Sequence, residues 1–219
     1  MKIAYKLTDS EMRTYKEFQW ELGKWYETTG KGKLCSPGWL HFYNDPLVGL
    51  FLNPIHADIR NPRLFRAEVE GEVLNDNETK YGYSRARLIE ELPVPQILLV
   101  QRVRFAILCA KEVYKEKEWN EWANKWLFGK DRTKESAESI ENTFSAAKIT
   151  AELGFYITKN EESAFYATKS AISAFYETKS AESAIYTAKS AESAVELAFY
   201  VTKNKKIDLI GIARKAMEE

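Results

Sequence analysis

The sequence predicts an α+β protein: a small, mainly antiparallel β-containing domain over residues 1–95, then an α-helical, Ala-rich repeat region over residues 96–219. Three observations predict it. All six prolines lie at or before Pro95 and seven of the ten glycines at or before Gly82, so turn chemistry is concentrated in the first part. After "LPVPQ" the hydrophobic period changes from about two to about 3.6. From Asp131 onward the chain is rich in Ala, Ser, Glu and Lys, and over residues 161–203 it nearly repeats itself every ten residues.

In the first part, short apolar runs between turn residues, "KIAYKL", "GWLHFY", "LFRAEVEG" and "SRARLIEEL", read as strands. "DPLVGLFL" reads as a short helix, with Asp45 as its cap and Pro46 at the first helical position. In the second part, Leu99, Val103, Ala106, Ile107, Ala110 and Val113 fall on one helical stripe. Trp119, Trp122 and Trp126 share the face of a second helix that Gly129 ends, and this face is expected in the core rather than as a stacking platform for a ligand. Gly154, Asn160 and Asn204 are the breaks expected beyond it.

The repeat "SAFYATKSAISAFYETKSAESAIYTAKS" raises a geometric problem. Ten residues turn an α-helix by about 1000°, about 80° short of three turns, so the aromatic pairs at 165/166 and 175/176 spiral around the helix. The small residues behave differently. Ala167, Ala174, Ala181 and Ala188 recur every seven residues, as do Ala164, Ala171 and Thr178, which predicts a seam of close helix contact. A β-solenoid fits poorly, since Ser170 and Ser180 occupy the five-residue partners of Phe165 and Phe175 and alanine favours helix. Either one long helix pairs with another copy of the chain, or the segment lies in a bundle with the helices before it.

Composition narrows the function classes. With 45% hydrophobic and 13% aromatic residues among 219, the chain can bury a sizeable core. Lys+Arg number 13 against 14 Asp+Glu in residues 1–95, and 19 against 18 beyond, which argues against a basic surface for nucleic acid or an anionic membrane. "KNKK" (203–206) is a basic cluster, expected to be a solvated helix end. Neither a signal-peptide core nor a run of about 20 apolar residues is present. The expected location is therefore the cytoplasm of a bacterial host cell, where Cys35 and Cys109 stay reduced, and Cys35 is expected as a buried structural thiol. Two cysteines without CxxC spacing and two histidines, His41 and His56, predict no metal site, and "GKGKLC" lacks a phosphate-cradling pattern; no cofactor is expected.

The run from "KIAYKLT" to "RLFRAEVEGEV" resembles a small domain of unknown function found widely in bacteriophage and bacterial genomes. The resemblance rests on Phe18, Gln19, Trp20, Glu21, Gly23, Lys24, Tyr26, Leu34, Cys35, Gly38, Asn44, Pro46 and Leu47, with Leu40 inserted between the aromatic Trp39 and His41. It covers about the first 95 residues and implies no known activity. The segment "QRVRFAILCAKEVYKEKEWNEWANKWLFGKDRTKESAES" is similar to all-helical immunity proteins of bacterial toxin systems.

One constellation could carry chemistry. "GWLHFYNDP" is similar to the strand-then-helix segment lining the nicotinamide pocket of ADP-ribosyltransferases, which implies a pocket of Tyr5, Trp39, His41 and Tyr43 with Glu90 or Glu91 as catalytic carboxylate. The opening strand lacks the His or Arg those enzymes place on the cofactor's ribose. Hydrogen-bonded structural roles for His41 and Tyr43 are the commoner arrangement, and Glu90 and Glu91, adjacent on a strand, face opposite ways and form no acid/base pair.

The expected function is thus interaction: a non-enzymatic accessory protein of a phage or mobile element, bound to a protein partner or to another copy of itself, with no nucleic acid and no membrane. The alternative is an ADP-ribosyl-transfer or NAD-binding enzyme in the first domain. If the two parts fold separately, limited proteolysis first cuts between Glu91 and Gln96, and fragment 1–95 gives a strand-dominated circular dichroism spectrum. A strongly helical spectrum from that fragment would overturn the division.

Overall fold

A computed structural model describes residues 1–151, 159–176, 180–201 and 206–218. Its α+β chain divides into two compact units, Met1–Gln96 and Ile97–Glu219.

The first unit is an antiparallel sheet that rolls up until its edges meet. Strand β1 (Lys2–Thr8) pairs with β6 (Arg63–Asp76), and β6 with β7 (Lys80–Leu92). The β6–β7 hairpin turns through Asn77 and Glu78, both at positive φ (46° and 69°), the conformation that suits the twist of a tight hairpin. The far edge of β7 carries two short strands at different heights, β4 (Tyr26–Glu27) against Arg85–Ala86 and β5 (Leu40–Phe42) against Tyr81–Tyr83. Tyr43, directly after β5, then exchanges both main-chain hydrogen bonds with Tyr5 of β1, at 2.8 and 2.9 Å. This closes a small barrel. A second, two-stranded sheet, β2 (Arg13–Thr14) and β3 (Phe18–Gln19), forms a hairpin before β4.

Alternation along the strands fills the barrel with Ala4, Trp20, Leu40, Phe42, Phe65, Ala67, Val69, Tyr81, Tyr83, Ala86 and Leu88. Helix α1 (Pro46–His56) packs on β1. Asp45 caps it, its Oδ1 accepting from the Leu47 and Val48 amides at 2.8 and 3.4 Å, with Pro46 at the first position.

The second unit contains α2 (Leu99–Val113), α3 (Lys117–Leu127), α4 (Lys134–Ala151), α5 (Lys159–Ser173), α6 (Ser180–Val201) and α7 (Leu209–Ala216). Helix α2 packs on α3, α5, α6 and α7, and α4 on α3 and α5. Val103, Ala106, Ile107 and Ala110 of the α2 stripe meet Trp119, Trp122 and Trp126 of α3 and the alanines of α5 in one core. The Trp119 indole N–H donates to Thr168 Oγ1 at 3.1 Å, tying α3 to α5. Gly129, at φ 67°, follows the end of α3. Asn160 lies in the first turn of α5, next to residues outside the described ones; Gly154, Asn204 and residues 203–205 of the "KNKK" cluster lie outside the described residues.

The repeat resolves into two antiparallel helices rather than one long one. The α5 helix ends at Ser173, and the turn after it tightens, Phe175 and Tyr176 donating to the Ile172 and Ser173 carbonyls three residues back. Between α5 and α6 the serines bond reciprocally. Ser163 Oγ donates to the Ser190 carbonyl at 2.7 Å and Ser190 Oγ to that of Ser163 at 2.8 Å. Seven residues later on α5 and seven earlier on α6, Ser170 and Ser183 do the same at 3.1 and 3.0 Å. Ten is seven plus three, and each helix uses only the seven.

That arrangement corrects the predicted seam. Ala164, Ala167, Ala171 and Ala188 are buried and Ala174 is half-buried, but Ala181 is exposed and Thr178 lies outside the described residues. A seven-residue register holds only along a continuous helix, and the reversal after α5 resets it. On α6 the buried set is Ser183, Thr187, Ala188, Ser190, Ala191, Ala194, Val195, Leu197 and Ala198. Accordingly Ala167→Leu costs roughly 1–3 kcal/mol by overpacking, while Ala181→Leu, at an exposed helical position, costs almost nothing. Thermal melts at two protein concentrations check this; the Ala167→Leu loss is independent of concentration because the seam lies within one chain.

Candidate functional site

Of the five residues expected around a pocket, Tyr5 and Tyr43 meet where β1 joins the end of β5, and Trp39 and His41 lie just before Tyr43 along the chain. Trp39, Leu40 and His41 are held by the loop before them, and that loop depends on close contact. A methyl at Gly38 would stand 2.0 Å from the Lys31 carbonyl oxygen, and one at Gly82 would meet Leu34 and Trp39 at 2.7 and 3.0 Å. With hydrogens there instead, Gly30 donates to the Gly38 carbonyl and the Trp39 indole N–H to the Gly32 carbonyl, each at 3.0 Å. His41 Nε2–H donates to the Leu34 carbonyl, which sets the tautomer of the ring.

Tyr43 is also engaged. Its ring stacks on His56 of α1 at 5.9 Å and 7°, its hydroxyl lies 3.3 Å from His56 Nδ1, and the other helix contact is Gly49, where a methyl would come within 2.8 Å of the ring. Burial pushes the Tyr43 phenol well above its ordinary value, so it stays protonated. Tyr5, half-buried, lies beside Tyr43 on one side and Arg66 on the other. Glu90 is set apart: it pairs with Arg66 on the far side of β6, about 10 Å from Tyr5 by strand spacing. Glu91 binds Arg63 through two hydrogen bonds, at 2.8 and 2.6 Å. Each carboxylate therefore has its own arginine, and the five residues do not converge on one cavity.

Cys35 is exposed, with Lys80 Nζ 3.4 Å from its sulfur, which corrects the expectation of a buried thiol; the loop that carries it is surface chain. Cys109 is the buried one, and burial raises its thiol well above the usual range. Among the described residues no three His, Cys, Asp or Glu side chains converge as metal ligands. A groove of about 340 Å³ spans β4, β7 and β6, lined by Glu27, Thr28, Glu70, Gly71, Ser84 and Arg85. Arg85 fills its charge balance by pairing with Glu27 and Glu70 while lying 4.0 Å over the Trp25 ring.

The residue that sequence reasoning passed over is Lys6. Alternation puts it on the same face as Ala4, inside the barrel, where it is 8% exposed. Its Nζ donates to the His41 carbonyl at 2.7 Å and lies 5.3 and 5.1 Å over the Trp20 and Phe42 rings. Burial, and secondarily the charge of Lys80, pulls its pKa down to about 7. The ring of His41 is likewise pulled below its ordinary value, first by burial and then by Lys6, Lys80 and His56, with the Leu34 carbonyl acting the other way. A lysine on the apolar face of "KIAYKLT" was the available signal.

Above Lys6 stands an aromatic ridge. Phe18, Trp20 and Tyr26 meet edge to face in all three pairings, at 5.0–5.3 Å, and Trp20 continues to Phe42 at 5.8 Å. Trp20 is buried to 1% while Phe18 is 38% exposed. The Trp20 indole N–H donates to Thr14 Oγ1 at 3.1 Å, and Asp9 Oδ1 accepts from the Glu11 and Arg13 amides, so the hairpin carrying the ridge is braced. Tyr15 at its tip and Leu22 beyond it are 85% and 57% exposed.

Comparison with known proteins adds one finding. A domain of unknown function, DUF7666, covers residues 2–100. No curated protein and no solved structure matches the chain. No described helix is long and apolar enough to cross a membrane.

The loop geometry makes its own prediction. Gly38→Ala lowers stability by roughly 1–3 kcal/mol and removes the exchange protection of the Trp39 indole N–H, because the loop must back away from Lys31. Glu90→Gln, at a half-exposed ion pair, changes stability by less than about 1 kcal/mol. Thermal melts and indole exchange by NMR measure both.

Proposed function

We propose that this is a non-enzymatic accessory protein of a phage or mobile element, working in the bacterial cytoplasm by binding a protein partner through the aromatic ridge of its first unit. The observation that carries this is the ridge itself: exposed Phe18 rests on two aromatic neighbours, Tyr26 and the buried Trp20. Interfaces draw most of their energy from rigid aromatic anchors, which lose little conformational freedom on binding. The positive φ of Lys16 and Glu17, 57° each, and the Arg13 ion pairs to Asp9 and Glu17 hold the hairpin in one shape.

Two observations favour interaction over an NAD-consuming enzyme. Trp39, His41 and Tyr43 spend their polar groups on the loop and on α1, and Glu90 is paired with Arg66 away from them. The Ala-rich helices are less suited to the contact, since their small residues are used by α5 against α6.

In the full chain, Phe18→Ala and Leu22→Asp weaken capture of the protein that co-purifies from the host by about tenfold or more, with melting temperatures close to the parent's. Phe175→Ala, on the helical unit, leaves capture intact. Undiminished capture by both ridge variants sinks the proposal, as does NAD consumption that Glu90→Gln abolishes without lowering the melting temperature.

A further inference from the structure

We propose that Lys6 is an acid-sensitive latch: an amine sealed inside the barrel without a counter-ion, joining β1 to β5 when neutral and loosening that closure when protonated. The proposal is independent of what the aromatic ridge binds.

The geometry is that of an uncompensated cation. The barrel closes through the two Tyr5–Tyr43 main-chain bonds, and Lys6, the next residue on β1, adds its bond to the His41 carbonyl of β5. An ammonium carries three donors, and this one meets a single carbonyl; the rest of its surroundings are the Trp20 and Phe42 rings. The rings offset part of the cost of the charge but supply no anion. Its partner across β6 is Phe65, which is apolar.

The charged groups around it add to the cost. Lys80 faces it from β7; His41 on β5 faces Lys6, Lys80 and His56 of α1 in turn. Several carboxylates of the adjoining elements are engaged elsewhere. Glu68 pairs with Arg87, Glu70 with Arg85, Glu90 with Arg66 and Glu91 with Arg63, Glu21 pairs with Lys24, and Asp45 caps α1. Acid therefore puts positive charge beside the Trp20 and Phe42 rings and the His41 carbonyl, with no ion pair to Lys6 among the described residues.

The direction follows from linkage. In the folded chain Lys6 titrates near 7 and in the unfolded chain near 10.5, so between those values the unfolded chain binds more protons and stability rises with pH. On acidification that stability is lost progressively through the same window and is gone below about 7. His41, lowered from 6.5, extends the loss to more acidic pH by the same logic. The first unit thus tightens as pH rises above about 7, where Lys6 acts, and only His41 carries the loss to more acidic pH.

Two measurements on the full chain test this. In the parent, side-chain nitrogen NMR follows the lysines; Lys6 is expected to titrate near neutrality, well apart from the others. Amide protection at Tyr5 and Tyr43, corrected for intrinsic exchange, is expected to fall as pH is lowered from about 9 to about 6. In Lys6→Met, which fills the same space without a charge, protection stays level over that range and the melting temperature at pH 6 rises. Titration of Lys6 together with the other lysines overturns the latch, as does an equal fall in protection in Lys6→Met. Should Lys6→Met fail to fold, the titration of the parent decides alone.

Discussion

Close approach of main chain to its neighbours, possible only where a side chain is a hydrogen, a methyl or a hydroxymethyl, is the constraint on which both units depend. In the barrel, Gly38 lets its loop fold against the Lys31 carbonyl, Gly82 admits Trp39 and Leu34 over β7, and Gly49 admits the Tyr43 ring against α1. In the helical unit, alanine and serine do the same between α5 and α6. Wherever the backbones come that near, polar groups lose water and must find each other. The reciprocal serine bonds and the Trp39 and His41 bonds to loop carbonyls are the consequence.

The two units satisfy that demand differently. Between α5 and α6 every buried hydroxyl of the four paired serines lies within reach of a carbonyl, and Ser190 also reaches the Ala106 carbonyl of α2. Such pairs cost nothing in unpaired donors and set the relative height of the two helices. Inside the barrel one group is left short. Lys6 has one acceptor for its donors and like charges for neighbours, and buried polar groups held on such terms are where conditions outside the protein can alter its stability. The aromatic ridge is built over this same residue through Trp20, so the exposed face and the barrel interior share a wall.

Much of the architecture was legible along the chain. The period-two runs became β1, β5, β6 and β7, "DPLVGLFL" opened α1 with its Asp45 cap, and the α2 stripe and the three tryptophans of α3 went into one core. Those features depend on residues within a few positions of each other. Of the residues read as a candidate pocket, Tyr5 and Tyr43 exchange main-chain bonds, while Glu90 stands across β6 with Arg66. Strand register decides that separation, and register is fixed by pairing between segments far apart in sequence. The burial of Lys6 was visible as a lysine in phase with Ala4, but its consequence was not, because the rings and carbonyl that surround it come from positions 20, 41 and 42.

By itself the sequence determined the α+β class, the change from turn-rich to turn-poor chain near Pro95, and a helical repeat whose small residues recur every seven. These follow from local preference: where proline and glycine sit, and which period the apolar residues keep. Tertiary structure alone decided that the repeat folds back on itself after Ser173, that Ala181 faces solvent while Ser183 and Ser190 face α5, and that the sheet closes through Tyr5 and Tyr43. No proline or glycine marks the reversal between α5 and α6. It occurs because two short helices can each bury a seven-residue seam against the other and against α2, whereas one long helix would carry aromatic residues around every side with nothing to cover them.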